Sequence, residues 1–442
     1  MSSEWPMVTI GDVAKIKHGF AFKGEFFTDE PSPNILVTPG NFAIGGGFQP
    51  GKSKYYAGPL PDNYVLRGGE IVITMTDLSK ASDTLGYAAK VPTTPGVTYW
   101  HNQRVGLLEV IDDSRASKDW LHYLMRTREY RSWVIGSATG TTVKHSSPSR
   151  IESFPFKLPP LEIQCEIAAT LGALDDRIDN LRANNATLEA IAQAIFKSWF
   201  IDFDPVRAKM EGRDPEGMDA ETAALFPSEL EESELGLVPR GWRVGALAAV
   251  FELNPRRSLA KGTFAPYLDM ASTPTKGHVP DQVVIREFSS GSKFINGDTL
   301  LARITPCLEN GKAAFVDFLA KSEVGWGSTE FLVLRPKSPL PPYFGYLLAR
   351  QAPFKAHAVS SMSGTSGRQR VQPDSLATWK LAVPDQAVSE AFGAVMESLQ
   401  TAIARSNEES RTLSELRDLL LPRLISGKLR IEGPEAAVVG AA

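Results

Sequence analysis

Cysteine is almost missing from this 442-residue chain: Cys165 and Cys307 are the only two, far apart and in no CxxC pair. That excludes a disulfide framework and argues against a zinc site. The six histidines, His18, His101, His122, His145, His278 and His357, fall into no HExxH or other metal-ligand spacing. No run of about 18 apolar residues occurs, so no membrane-spanning helix is expected. Met1–Ile10 lacks the basic stretch followed by an apolar run that marks a secretory signal. The expected location is therefore cytoplasmic. Neither globular part shows a nuclease-like cluster of carboxylates and lysine, so the residues give little support for catalysis by this chain.

Charge of one sign is also missing overall, with a net charge of −4, but its distribution is uneven. Lys plus Arg against Asp plus Glu is 16 to 15 over residues 1–155, 8 to 17 over 156–240, 17 to 10 over 241–383, and 6 to 9 over 384–442. The globular segments hold the positive charge and the helical segments the negative. A phosphate-binding surface needs only a local excess, so the mean does not exclude nucleic acid.

What is present is a duplication. Apolar positions at Ile167, Leu171, Leu174, Ile178, Leu181, Leu188, Ala192, Ile195 and Trp199 alternate spacings of four and three, with Asn185 filling one step. This is a coiled-coil seam, in which a polar Asn can fix register. Pro159 and Pro160 bar upstream residues from the helix. A second pattern runs from Phe392, Val395 and Leu399 to Leu413, Leu416, Leu420 and Leu424, with Ala402, Ser406 and Glu409 on the seam between. Pro422 should kink its last turn and Gly427 should cap it. A helix of about 40 residues spans roughly 60 Å, and an apolar edge of that length needs a partner. The simplest partner is the other helix, packed antiparallel.

The segments before the helices also correspond. Trp5 matches Trp242, Gly69–Thr74 matches Gly297–Ala302, and Thr139-Gly140-Thr141 matches Ser363-Gly364-Thr365. Head one has strand-like runs at Asn34–Val37, Glu70–Met75 and Val105–Val110, then a helical run at Lys118–Trp133. Head two has Glu330–Leu334 and Pro342–Arg350 in the same order. Between the first helix and head two, Met210–Gly241 reads as an acidic, extended linker. The fold class is α+β: two mixed α/β domains joined by two long antiparallel coiled-coil helices, with a pseudo-two-fold internal repeat.

A Walker-type pattern, Gly46-Gly47-Phe48-Gln49-Pro50-Gly51-Lys52-Ser53, runs into Lys54-Tyr55-Tyr56-Ala57-Gly58-Pro59, which cannot start the helix that a phosphate loop requires. It reads as a Gly-rich loop. Leu340-Pro341-Pro342-Tyr343 lacks the polar first residue of the Asn/Asp-Pro-Pro-Tyr motif of amino-methyltransferases and reads as helix-start prolines.

Several segments resemble one family. Leu158-Pro159-Pro160-Leu161-Glu162-Ile163-Gln164, Leu174-Asp175-Asp176-Arg177-Ile178 and the stretch from Thr187 through Ser198-Trp199-Phe200-Ile201-Asp202-Phe203-Asp204-Pro205-Val206 are similar to the central region of type I restriction-modification specificity subunits. Leu225-Phe226-Pro227, Gly236–Trp242 and Leu420–Leu429 are similar to further parts of the same subunits. The lead-in to the second helix, Val383-Pro384-Asp385-Gln386, only partly matches the first. The resemblance implies target recognition domains at 1–157 and 241–383, conserved long helices at 158–209 and 384–430, a Pro-containing acidic linker at 210–240 and a flexible tail at 431–442. It implies double-stranded DNA with a bipartite, asymmetric site as ligand, two modification (methyltransferase) subunits as partners, and restriction subunits joined through them. S-adenosylmethionine, ATP and magnesium would belong to those partners, and this chain would be non-catalytic.

For DNA contact the first-rank residues are Thr139, Gly140, Thr141, Thr142, Lys144 and His145 in head one, and Ser363, Gly364, Thr365, Ser366, Arg368, Gln369 and Arg370 in head two. Small residues allow close backbone approach, Arg binds phosphate or guanine, and Gln reads adenine. Second-rank residues are Lys17, His18, Lys23, Thr76, Lys80, Arg104, Arg303, Lys312 and Ser328. Two other classes of function stay open on residues alone: a coiled-coil scaffold whose heads bind proteins, and an enzyme using the Gly46–Ser53 loop.

Overall fold

The computed structural model describes residues 5–51, 54–77, 79, 82–140, 143–365 and 367–430. The tail expected at 431–442 lies outside the described residues. The chain divides into two units: one holds the residues up to Asp179 together with those from Ser410 onward, the other Asn180–Glu409. The two long helices, Leu161–Lys197 and Gln386–Ile425, contribute to both.

Each unit carries one head, and the heads share a topology. In head one a four-stranded antiparallel sheet has the order Ala14–His18, Val105–Val110, Ile71–Thr74, Ala88–Lys90. In head two the same order is Phe251–Leu253, Phe331–Pro336, Thr299–Ala302, Ala313–Phe315. Beside it lies a second sheet built on one parallel pair, Asn34–Val37 with Thr98–His101 in head one and Phe264–Leu268 with Gly325–Gly327 in head two. Side chains alternate across a strand, so a central strand feeds two cores. Ile71 and Ile73 join the helix-side cluster, whereas Val72 joins Val37, Leu66 and Val105 on the other face. In head two Leu301 and Leu300 divide the same way.

The helical run expected at Lys118–Trp133 is two helices, Lys118–Leu124 and Arg128–Gly136. The break falls where the Thr127 hydroxyl caps the second by accepting from the Tyr130 N–H. Head two matches it with Tyr343–Arg350 and Ala352–Ser360.

The first seam is buried largely as its spacing requires. Ile167, Leu171, Ile178, Leu181, Ala192 and Trp199 are buried, and Leu174, Asn185, Leu188 and Ile195 are half-buried. Each fully buried aliphatic side chain contributes about 1.5–3 kcal/mol. The helix is anchored at its start by Gln164, which is fully buried. Its Nε2 donates to the carbonyls of Arg115 and Pro159, and its Oε1 accepts from the Ser117 N–H. A π turn, Ser198–Asp202, ends the helix at Phe203, whose φ of 56° is left-handed.

The second seam differs from the expected one. Glu409 and Leu416 are exposed, while Met396, Ile403, Ser410 and Leu421 are buried. The inward row is displaced by one residue through the middle of the helix. It carries Asn407, Ser410 and Arg417, polar residues that hide it from a reading of hydrophobic spacing. In the second unit Asn185 Nδ2 donates to Asn407 Oδ1 at 2.8 Å and Trp199 lies against Phe392, their ring centroids 5.7 Å apart, so the helix segments run antiparallel. In the first unit Arg417 reaches Asp175, while Ile167, Leu171, Leu421 and Leu424 share one core, again antiparallel. The second helix continues past Pro422 to Ile425. Beyond it Gly427 has φ +71° and the Leu429 N–H donates to the Arg423 carbonyl.

Residues 210–241 are not extended. They form the helix Ala220–Ala224 and the hairpin Leu230–Ser233 with Gly236–Pro239. Phe226 and Val238 are buried in the second unit's core, and Phe226 packs edge-on to Trp199 at 5.0 Å. The acidic side chains occupy the outer face: Glu231 accepts from the Gly241 N–H at 3.0 Å and Glu229 pairs with Arg240.

Candidate nucleic-acid interface

In head one the chain from Thr139 to His145 folds back on itself. Thr139 and His145 exchange both backbone hydrogen bonds at 2.9 Å. Gly140 has φ +98°, and a side chain there would lie 2.0 Å from the Val143 carbonyl oxygen, so only glycine fits the closure. The strand Lys144–His145 pairs with Thr76–Asp77, and His145 Nδ1 is hydrogen-bonded to Thr76 Oγ1 at 3.1 Å. Below them the buried Asp77 accepts from the N–H groups of Ser79, Thr84 and Leu85 and from the Thr84 hydroxyl. Burial opposes its ionisation, but these donors prevail and hold its pKa below the ordinary value. Thr141, Thr142 and Lys80 lie outside the described residues.

The next turn, Asn102–Arg104, is tied to the same edge. The Met75 N–H donates to the Arg104 carbonyl and the Ser146 N–H to the Met75 carbonyl. Behind it the buried His101 donates from Nε2 to the Val105 carbonyl at 2.7 Å, and burial lowers its pKa to about 4, so it is neutral. His18 sits exposed at the end of its strand, opposite Gly106. Lys17 is occupied: its ammonium donates to the Asn63 carbonyl and lies 5.4 Å over the Tyr64 ring. Lys23 is exposed, 3.8 Å from Glu25, between two residues that line a cleft of about 490 Å³, Phe22 and Gly24.

Head two repeats the backbone pattern and changes the side chains. Ser363 and Arg370 exchange the same pair of hydrogen bonds, and Gly364 has φ +128°. The Val371 N–H donates to the Arg303 carbonyl, and the Arg303 N–H to the Glu330 carbonyl. Arg303 thus stands where head one has Met75, Arg370 where it has His145, and Glu330 where it has Arg104. Arg370 turns onto Glu330, with Nε at 2.9 and 3.0 Å from the two carboxylate oxygens and Nη2 at 2.7 Å from Oε1. That hydrogen bonding holds the Glu330 pKa below the ordinary value. Arg370, expected to face DNA, is thus spent on closing its own loop. The Gln369 carbonyl accepts from the Thr305 N–H, and the Gln369 N–H donates to the Thr305 hydroxyl. Arg303 donates to the Gln372 side chain, Lys312 to the carbonyls of Met270 and Ala271, and the Ser328 hydroxyl accepts from the Glu330 N–H. Among the described residues the Arg368 side chain makes no hydrogen bond or ion pair, and it is exposed next to Thr365 and Gln369. Ser366 lies outside the described residues.

The Gly46–Ser53 loop runs into the strand Lys54–Tyr56, and Gly46 lies flat beneath Arg126, 2.8 Å from where a Cβ would sit. Arg126 donates to the Gly45 carbonyl and to Asp175 on the long helix. These described residues hold the head to its helix and form no cradle for ATP phosphates; Lys52 and Ser53 lie outside the described residues. No group of three metal-ligating side chains occurs among the described residues, and no helix among them is long and apolar enough to cross a membrane.

Two heads with one backbone frame and different side chains at matched loop positions define an internally duplicated α+β protein. Residues 2–190 match the family described as "Type I restriction modification DNA specificity domain". The chain is 26% identical to the HindI specificity subunit of Haemophilus influenzae over 348 residues, covering 69% of this chain and 75% of that protein. It is 24% identical to the MjaIX specificity subunit of Methanocaldococcus jannaschii, covering 74% and 72%. The crystal structure of the type I restriction-modification S subunit from M. genitalium superposes with a TM-score of 0.51, covering 95% of this chain and 96% of that one at 14% identity, a likeness of fold. Residues 2–190 thus carry a type I restriction-modification DNA specificity domain, and the chain is similar over about seven tenths of its length to specificity subunits of such systems.

Proposed function

We propose that this chain is the non-catalytic, sequence-reading subunit of a type I restriction-modification complex, each head reading one half of a bipartite, asymmetric DNA site. The helices act as spacer and dock two modification subunits, through which restriction subunits join. S-adenosylmethionine, ATP and magnesium belong to those partners. The observation that carries the reading is the divergence of side chains on a repeated frame: two readers of different half-sites need the same fold and different loops.

The test uses the full chain assembled with its modification subunit and duplexes drawn from host genomic DNA. The assembly should retain a subset sharing two short fixed sequences separated by a constant gap. Equal retention of every duplex at matched salt would overturn the reading. Binding confined to proteins, with no dependence on DNA, would favour a scaffold instead.

A further inference from the structure

The turn Asn102-Gln103-Arg104 combines a locked backbone with two free polar side chains. The Gln103 N–H donates to the Phe20 carbonyl at 2.9 Å, and the Phe20 N–H to the His101 carbonyl at 2.9 Å. The Arg104 N–H donates to the buried Asn102 Oδ1 at 3.1 Å, and the Val105 N–H to the Asn102 carbonyl at 3.0 Å. Gly19 lets the neighbouring strand come so close that a Cβ would lie 2.1 Å from the Asn102 carbonyl oxygen. Yet the side chains of Gln103 and Arg104 are exposed and make no hydrogen bond or ion pair among the described residues. They line the 490 Å³ cleft together with Lys54, Thr38, Phe22 and Phe27. Among the described residues no carboxylate lines this cleft.

Head two holds the matched turn by the same device: the Glu330 N–H donates to Ser328 Oγ at 3.1 Å and the Phe331 N–H to the Ser328 carbonyl. There the outward positions are Thr329 and Glu330, and Glu330 is taken up by Arg370. The turn is therefore common scaffold, and the pair of side chains on it is what differs.

We propose that Gln103 and Arg104 are the base-reading side chains of head one, taking the major-groove edges of neighbouring base pairs while Lys54 holds a phosphate. A glutamine amide matches the N6 and N7 pair of adenine, and a guanidinium matches the O6 and N7 pair of guanine. A side chain carried on a fixed backbone discriminates because a wrong base cannot be met by loop adjustment. The proposal rests on the reading of this chain as a DNA-specificity subunit.

The test maps methylated positions and measures binding for the full chain assembled with its modification subunit, comparing wild type with Arg104→Ala, Arg104→Lys and Gln103→Ala. Arg104→Ala should lose discrimination at one base pair of one half-site by about 5- to 150-fold, with the other half-site read as before. Gln103→Ala should relax a neighbouring pair. Arg104→Lys should keep the salt dependence without restoring discrimination, since a lysine lacks the two-pronged fit. Uniform weakening on all sequences, with the salt slope reduced by about one, would make Arg104 a phosphate contact and overturn the proposal. So would unchanged specificity in variants that still assemble. If wild type itself fails to discriminate, the DNA reading fails rather than this assignment.

Discussion

At one position of a shared frame, head one points Arg104 outward and head two turns Glu330 inward onto Arg370. The loop beside it closes through Thr76 and His145 in head one and through the Arg370–Glu330 ion pair in head two. A charged residue in a recognition loop is thus not in itself evidence of contact with DNA. An arginine already satisfied by a carboxylate must break that pair before it can grip a phosphate or a guanine. A cation without an internal partner among the described residues, such as Arg104 in head one or Arg368 in head two, is the better candidate.

The heads also differ in how they are fastened to helix, and the largest effect is expected there. In the first unit Asp175 accepts from Arg126 Nη1 at 2.7 Å, Arg417 Nη1 at 2.7 Å and the Tyr123 hydroxyl at 2.9 Å. In the second unit Phe196, Phe200, Phe344 and Phe392 are in mutual ring contact, and the buried helix carboxylate of Glu189 accepts from the neutral Tyr346 hydroxyl. Asp175→Ala would leave the buried Arg126 without a carboxylate and Arg417 with the exposed Asp418 alone, at a cost of about 3 kcal/mol. Burial raises the Asp175 pKa, but Arg126 and Arg417 more than offset it and leave it below the ordinary 3.8. A depressed carboxyl pKa gives stability that is fully present above the unfolded value and lost as pH falls through the folded one. The first unit should therefore weaken more than the second below about pH 4, where the second loses the more exposed Glu330–Arg370 pair. Hydrogen exchange resolved by segment at pH 7 and pH 3 tests this. Equal acid sensitivity in both units, or an Asp175→Ala variant with unchanged protection in the first, would remove the contrast.

A middle-sized effect separates the two loop closures. Arg370→Ala and Glu330→Gln should each loosen residues 363–370, and in a double-mutant cycle the double variant should lose less than the two single variants summed, since the pair is one interaction. His145→Ala should show no comparable loss in head two. The readouts are thermal denaturation and DNA affinity of the assembled complex. A coupling near zero would mean that Arg370 is free after all, which would restore it as a DNA-contact residue.

How far these features can be read without coordinates depends on whether the signal is linear along the chain. The first seam is legible because alternating steps of three and four are a one-dimensional pattern. The second is misread by one residue because Asn407, Ser410 and Arg417 sit on its inner row in place of aliphatic side chains. The proline- and glutamate-rich segment 210–241 suggests an extended chain. Phe226 and Val238 tie it down through contacts with residues far away in sequence. The turn at 102–104 offers no motif at all: Asn102 and Ser328 do one job with different side chains, and shared hydrogen bonds, among them the 3.1 Å bond to the residue two ahead, expose the equivalence. Gln103 escapes a sequence reading for that reason, and Lys54 escapes because it follows a Gly-rich loop whose pattern draws the eye to Lys52 instead.

The smallest expected effect compares two lysines that look alike in sequence. Lys54 is exposed on the cleft of head one and has no hydrogen-bond or ion-pair partner among the described residues. Lys312 in head two spends its ammonium on the carbonyls of Met270 and Ala271. A lysine that neutralises one phosphate releases one condensed counterion, and its loss lowers the salt slope of binding by about 0.9. Lys54→Ala should show that decrease, with a uniform several-fold loss of affinity across sequences. Lys312→Ala should leave the slope where it was and instead loosen the segment around Met270. Fluorescence anisotropy of the assembled complex over a salt series distinguishes the two. If Lys312→Ala lowers the slope and Lys54→Ala does not, head two meets the DNA backbone through a residue that its own fold holds back, and satisfaction within the head ceases to be a guide to which cations face DNA.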